Sequence, residues 1–150
     1  MKAPETWLVV ADGARAKILR VDRAVRRFEL VGEMSSSEAR RKPSELMTDR
    51  QGRAMDAGGV GQRSAMEPPT DPQRHEKERF ARQLAETLED ALNARKFEKL
   101  VLVAAPQALG DLRATLDGRV KERIQEEIAK DLTRENAGEL AEHLGELFWH

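Results

Sequence analysis

Two stretches of this chain leave almost no choice of fold. Thr6-Trp7-Leu8-Val9-Val10-Ala11 and Leu100-Val101-Leu102-Val103-Ala104-Ala105 are continuous apolar runs with no alternation. A strand with one wet face alternates apolar and polar side chains, whereas a strand covered on both faces does not. Both runs therefore read as central strands, the second ended by Pro106. A chain of 150 residues is expected to form one domain and is long enough to bury a sizeable core around them.

The remaining elements follow from periodicity. Asp12-Gly13 is a hairpin signal, because glycine accepts positive φ. Ala14 to Ile18 alternates, giving a second strand, and the phase shift at Ile18-Leu19 suggests a bulge. Phe28, Leu30 and Met34 alternate with Glu29 and Glu33, so the chain opens as a three-stranded meander. Pro72 fits a first helical position, with Asp71 able to cap it. Phe80, Leu84, Leu88 and Leu92 then form one stripe of a helix expected to reach about Lys96. Leu109, Leu112 and Leu116 mark a short helix that Gly118 is expected to end. Val120, Ile124, Ile128 and Leu132 are spaced by four, which favours a helix, although the last three also share one face of a strand. Leu140, Leu144, Leu147 and Phe148 mark a C-terminal helix. The expected fold is a single α/β domain: a mixed sheet of the meander plus two further strands, covered by helices.

Residues 35–69 stand apart. They hold Ser35-Ser36-Ser37, Gly52, Gly58-Gly59, Gly61 and Pro68-Pro69 and few large apolar residues. A loop of this length inside a small domain is commonly functional or disordered.

Charge narrows the function. Lys and Arg total 26 against 27 Asp and Glu, so a protein that coats nucleic acid with a generally basic surface is excluded, and no DNA partner is expected. Aromatics are 4% with no Tyr, which argues against a face that stacks bases. There is no Cys, hence no thiolate nucleophile and no Cys-based zinc site. No apolar run is long enough for a membrane span, and the polar start does not read as a signal peptide. A soluble cytoplasmic protein is the expectation.

Three constellations invite chemistry. In Asp56-Ala57-Gly58-Gly59-Val60-Gly61-Gln62-Arg63-Ser64, glycines allow close backbone approach and Gln62 offers a donor and an acceptor. Chemistry there would be positional, and a plain flexible linker is the competing reading. The second is basic: Arg40, Arg41, Lys42, Arg50, Arg53 and Arg63 in the loop, then Arg74, Lys77, Arg79 and Arg82 on the helix. Six loop cations face five loop acids, and Glu76, Glu78 and Glu86 can pair with those of the helix. The third is metal or triad chemistry. His75, His143 and His150 lack the spacing of a helical zinc site, and no Ser stands in a Gly-x-Ser-x-Gly setting, so no metal or cofactor is expected. Asp12 is the one suspicious lone acid; its ordinary role is the hairpin turn.

Three stretches together carry a resemblance: Trp7 through Ala16, Ser64 through Pro72 running into Glu76-Lys77-Glu78-Arg79-Phe80-Ala81, and Lys130-Asp131-Leu132-Thr133. This combination resembles the bacterial host attachment protein family, described as proteins required for attachment to host cells. That resemblance implies a strand over 123–131. The family is in turn similar to the middle domain of archaeal and eukaryotic peptide-chain release factors, an α/β sheet with a mobile Gly-Gly-Gln loop and a long basic helix. The likeness would give Gln62 the task of positioning water on a peptidyl-tRNA ester. Gly58, Gly59 and Gly61 would take the close-approach role, and Arg63, Arg74, Arg79 and Arg82 the RNA contacts. Val60-Gly61 interrupts the tripeptide, and a codon-reading domain is not expected in a chain of this length. Two readings follow: a ribosome- or tRNA-associated binding module, with a peptidyl-tRNA hydrolase as its enzymatic version, or a protein-interaction module that supports attachment indirectly.

Overall fold

The computed structural model describes residues 4–36 and 72–149. Its centre is β1 (Thr6–Ala11), buried along its whole length. β2 (Arg15–Asp22) pairs antiparallel on one side of it, and β3 (Arg27–Ser35) pairs antiparallel to β2. Helix α1 (Pro72–Asn93) leads to β4 (Lys99–Ala104), which lies parallel on the other side of β1. Helices α2 (Pro106–Thr115) and α3 (Gly118–Lys121) lead to β5 (Ile124–Ile128), parallel to β4. The five-stranded sheet has the order β3-β2-β1-β4-β5. Helix α4 (Ala137–Leu144) and a 3-10 turn (Gly145–Leu147) end the described chain. This is the expected single α/β domain with a mixed sheet.

Alternation along the two central strands feeds two cores. Trp7, Val9 and Ala11 of β1 with Leu100 and Leu102 of β4 meet Phe80, Leu84 and Leu88 of α1 and Leu112 of α2. Leu8, Val10, Val101 and Val103 point the other way, onto Leu140 and Leu144 of α4 and Phe148. The Ile18-Leu19 phase shift is a change of core: Ile18 packs with the first and Leu19 with the second. The register to β3 also shifts there, leaving Val31 as the extra residue between the partners Gly32 and Leu30.

Four expectations need correction. Gly118 does not end α2; it opens α3, because the Asp117 side chain accepts from the Arg119 N–H and caps the new helix. Helix α1 stops at Asn93 rather than near Lys96. Gly13 has no positive φ; its lack of a side chain matters because Cγ of Lys77 would lie 2.8 Å from an added Cβ. Ile124 and Ile128 do not share a face, since the register shifts between Leu100 and Val101. The extra residue, Gln125, sends Ile124 to the first core and Ile128 with Leu132 to the second. The stretch 123–131 does form a strand, over Ile124–Ile128. At the C-terminus the helix tightens at Gly145, where the Trp149 indole lies against the glycine, and Leu147 is exposed. The loop 35–69 begins inside β3 at Ser35, and 37–69 together with the Asp71 cap lie outside the described residues.

The end of α1 is closed by an unusual residue. Arg95 takes φ 61°, the Arg95 N–H donates to the Leu92 carbonyl (2.9 Å) and the Lys96 N–H to that of Ala91 (2.9 Å). This double closure is normally made by glycine, which has no Cβ to crowd the left-handed backbone. Arg95→Gly is expected to stabilise the fold by about 1 kcal/mol. Urea denaturation checks this: the midpoint should rise at constant slope. A lower midpoint would show that the Arg95 side chain contributes more stability than its backbone strain removes.

Candidate functional site at the carboxyl edge of the sheet

Parallel strands present the carboxyl ends of β1 and β4 on one edge, the usual place for ligands in open α/β sheets. The turn after β1 organises that edge. Asp12 Oδ1 accepts from the N–H groups of Ala14 and Arg15, both at 2.8 Å, which fixes the hairpin. The Ser36 N–H donates to the Ala14 carbonyl (2.7 Å), and the Lys77 stem lies over Gly13. The described chain therefore leaves at Ser36 and re-enters at Pro72 beside one turn, residues 12–14.

The connection from β5 to α4 crosses this edge. Thr133 is buried there and brings two carboxylates together. Its hydroxyl donates to Asp131 Oδ1 at 2.6 Å and also lies 3.2 Å from Asp12 Oδ2. A hydroxyl has one proton, so the nearer Asp131 takes it. The Thr133 N–H reaches the same Asp131 oxygen at 3.1 Å. These bonds from the Thr133 hydroxyl and amide, helped by the charges of Arg134 and Arg15, hold the Asp131 carboxyl below its ordinary range. Lys17 Nζ donates to the Glu135 carbonyl (2.7 Å), and Glu135 Oε1 meets His143 Nδ1 at 2.6 Å.

Between these groups opens a cleft of about 570 Å3, lined by Arg15, Lys17, Glu33, Met34, Thr133 and Arg134 among others. Three cations face one acid in it. Arg15 and Arg134 also act on the neighbouring Asp131 carboxylate, so part of this positive charge is answered within the protein. Among the described residues, no group of three His or acidic side chains is placed to hold a metal.

The residues expected from sequence are distributed unevenly around this edge. Arg74 is committed within the protein, paired with Asp111 of α2 and, at 3.4 Å, with Glu78. Arg79 is half-buried and Arg82 exposed, farther along α1, and neither enters an ion pair among the described residues. His75 is exposed. Gly58, Gly59, Gly61, Gln62 and Arg63 lie outside the described residues, as does His150. Arg15, Lys17, Thr133 and Arg134 had no role in the sequence reading. Thr133 stood in the quoted Lys130-Asp131-Leu132-Thr133 run, but its partner Asp12 is 121 residues away.

Comparison with known proteins supplies a family. Residues 7–144 match the family model for proteins required for attachment to host cells. The chain belongs to that family. The match begins at Trp7 of β1 and ends at Leu144, the last residue of α4, so the family extends over both cores. No curated protein matches the chain. No described helix of this family member is long and apolar enough to cross a membrane.

Thr133→Val keeps the buried volume and removes the hydroxyl. A loss of about 1 kcal/mol is expected near neutral pH, the low end for a bond to a charged group because Asp131 is solvent-accessible. Asp131 is lowered in the folded state, so its contribution is complete above the unfolded carboxylate pKa and fades as pH falls through the folded value. Denaturation of the two proteins should therefore converge in acid. A difference that persists undiminished at low pH would assign the effect to packing.

Proposed function

We propose that this host attachment family protein is a ribosome- or tRNA-associated binding module. The observation that carries the reading is the cationic cleft of Arg15, Lys17 and Arg134, placed where the chain departs toward and returns from the segment holding Gly58, Gly59, Gly61 and Gln62. Cations at such an edge take phosphate, and contacts to phosphate position an RNA without reading its sequence. Arg63, Arg79 and Arg82 extend the same chemistry from the segment onto α1, while the pairing of Arg74 with Asp111 gives that residue a structural task. Described aromatic rings are buried in the cores, in pairs such as Trp7 with Phe97 and Phe28 with Phe148, apart from Trp149, which packs half-buried against one of them; this favours backbone and shape as the means of recognition.

Binding of this kind weakens steeply with salt. The protein is expected to co-sediment with ribosomes at low ionic strength and to leave them as salt rises. Arg15→Gln with Arg134→Gln should shift that release to lower salt. A protein that stays at the top of the gradient under all conditions overturns the reading. The enzymatic version, a peptidyl-tRNA ester hydrolase in which Gln62 positions water, has its own test. Gln62→Ala should slow release of peptide from peptidyl-tRNA while leaving co-sedimentation intact. An equal rate in the variant removes Gln62 from any mechanism.

A further inference from the structure

The large apolar side chains that stand exposed among the described residues gather around one edge of the sheet. They are Val25, Leu30, Val31 and Leu147, each 43–54% exposed. Leu30 and Val31 belong to β3, the outermost strand on that side, and Val25 to the turn that leads into it. Leu147 adjoins Phe148, whose ring stands edge-on to Phe28 of β3 at 5.4 Å. The Phe148 carbonyl also accepts from Arg23 Nε at 3.0 Å, which holds the turn against the C-terminal segment. Single exposed apolar side chains are ordinary, but a group of them along an edge marks an interaction surface. No described strand pairs with the outer side of β3, so its backbone is open to another strand.

The charges of β3 say which strand fits. The extra residue Val31 interrupts the ladder, which leaves Arg27 to Leu30 as the regular stretch after the turn. When two identical strands pair antiparallel about a two-fold axis, one residue faces its own copy and its neighbours face each other. An axis at Arg27 sets two arginines against each other, and one at Glu29 sets two glutamates. An axis at Leu30 runs the ladder through the bulge. An axis at Phe28 instead places Arg27 opposite Glu29 of the second copy, twice, on one face of the sheet. Both side chains are exposed, and Arg27 enters no ion pair among the described residues. Arg20 holds Glu29 through Oε1, at 2.7 Å from Nη2, which leaves Oε2 for an incoming guanidinium.

We propose that β3 is the contact between two copies of this chain, paired antiparallel about Phe28. The exposed ion pair fixes the register, while affinity comes from the ladder and from covering Leu30 and Val31 with their neighbours Val25 and Leu147. The bulge ends the pairing and the two-fold axis closes it, so the contact yields a dimer rather than a fibre. Two sheets then become one continuous sheet. The cleft of Arg15, Lys17 and Arg134 lies beside the other end of β3, at Glu33 to Ser35, and stays open. The inference is therefore independent of what that cleft binds.

Analytical ultracentrifugation of the full chain tests this over a dilution series reaching about 0.1 mM, where an interface at the small end of the range is still populated. The sedimenting species is expected to pass from the mass of one chain to twice that value as concentration rises. Arg27→Glu brings two acids together at each pair, and Glu29→Arg brings two bases together, so each variant by itself should stay a single chain. Mixed in equal amounts, the two variants restore both opposite pairs, and the mixture should recover the dimer. Urea denaturation checks that each is folded; Glu29→Arg leaves Arg20 with Glu5 and Asp22. Leu30→Lys puts a charge into the apolar contact at an exposed position, should also abolish the dimer, and serves if a charge variant fails to fold. A single chain at every concentration overturns the proposal. So does a dimer that survives each substitution, which would put the contact elsewhere, and so does a mixture of folded variants that stays monomeric.

Discussion

Burial of β1 on both faces is the constraint from which the rest follows. Its six residues have neither a solvent face nor an open edge, because β2 and β4 take its two hydrogen-bonding sides. A strand in that position needs cover above and below. The alternating side chains of β1 recruit α1 and α2 through Trp7 and Val9, and α4 through Leu8 and Val10. The ends of the sheet and its exposed edge strands are then left to carry polar chemistry, and the cleft of Arg15, Lys17 and Arg134 lies at one end.

The parts legible in the sequence are those set by local periodicity. Continuous apolar runs marked β1 and β4, a stripe spaced by four marked α1, and the doublet Ile18-Leu19 marked the register shift. The parts that escaped depend on one residue of backbone geometry. Gln125 adds a single residue to β5 and thereby turns an apparent one-faced row into contributions to two cores. Gly118 reads as a stop until Asp117 is seen to cap the helix that follows. The stretch before Lys130 became a strand only through family resemblance, since its spacing by four fits a helix as well.

The site was less legible than the fold for a related reason. Asp12 drew notice as an acid ending a buried strand, and its turn role is real. What gives it a wider setting is Thr133, brought over the edge by the β5–α4 connection. Gly13 is similar. The sequence argument assigned it a backbone conformation, whereas its actual demand is room for Lys77, 64 positions later. Contacts at such separations follow from topology, and no local pattern encodes them.

Charge balance shows the same effect at the scale of the molecule. A formal charge of −1 argues against a protein that wraps phosphate with its whole surface, and that argument stands. It says nothing about where the charges lie. Ion pairs at Arg20, Arg74, Arg113 and Arg119 each take one acid and one base out of the surface field together, so the total says nothing of the local balance elsewhere. Within about a Debye length, some 10 Å in ordinary buffer, an approaching polyanion responds to that local balance rather than to the total. A nearly neutral chain can thus present a local cluster of cations, as Arg15, Lys17 and Arg134 do at the carboxyl edge of the sheet.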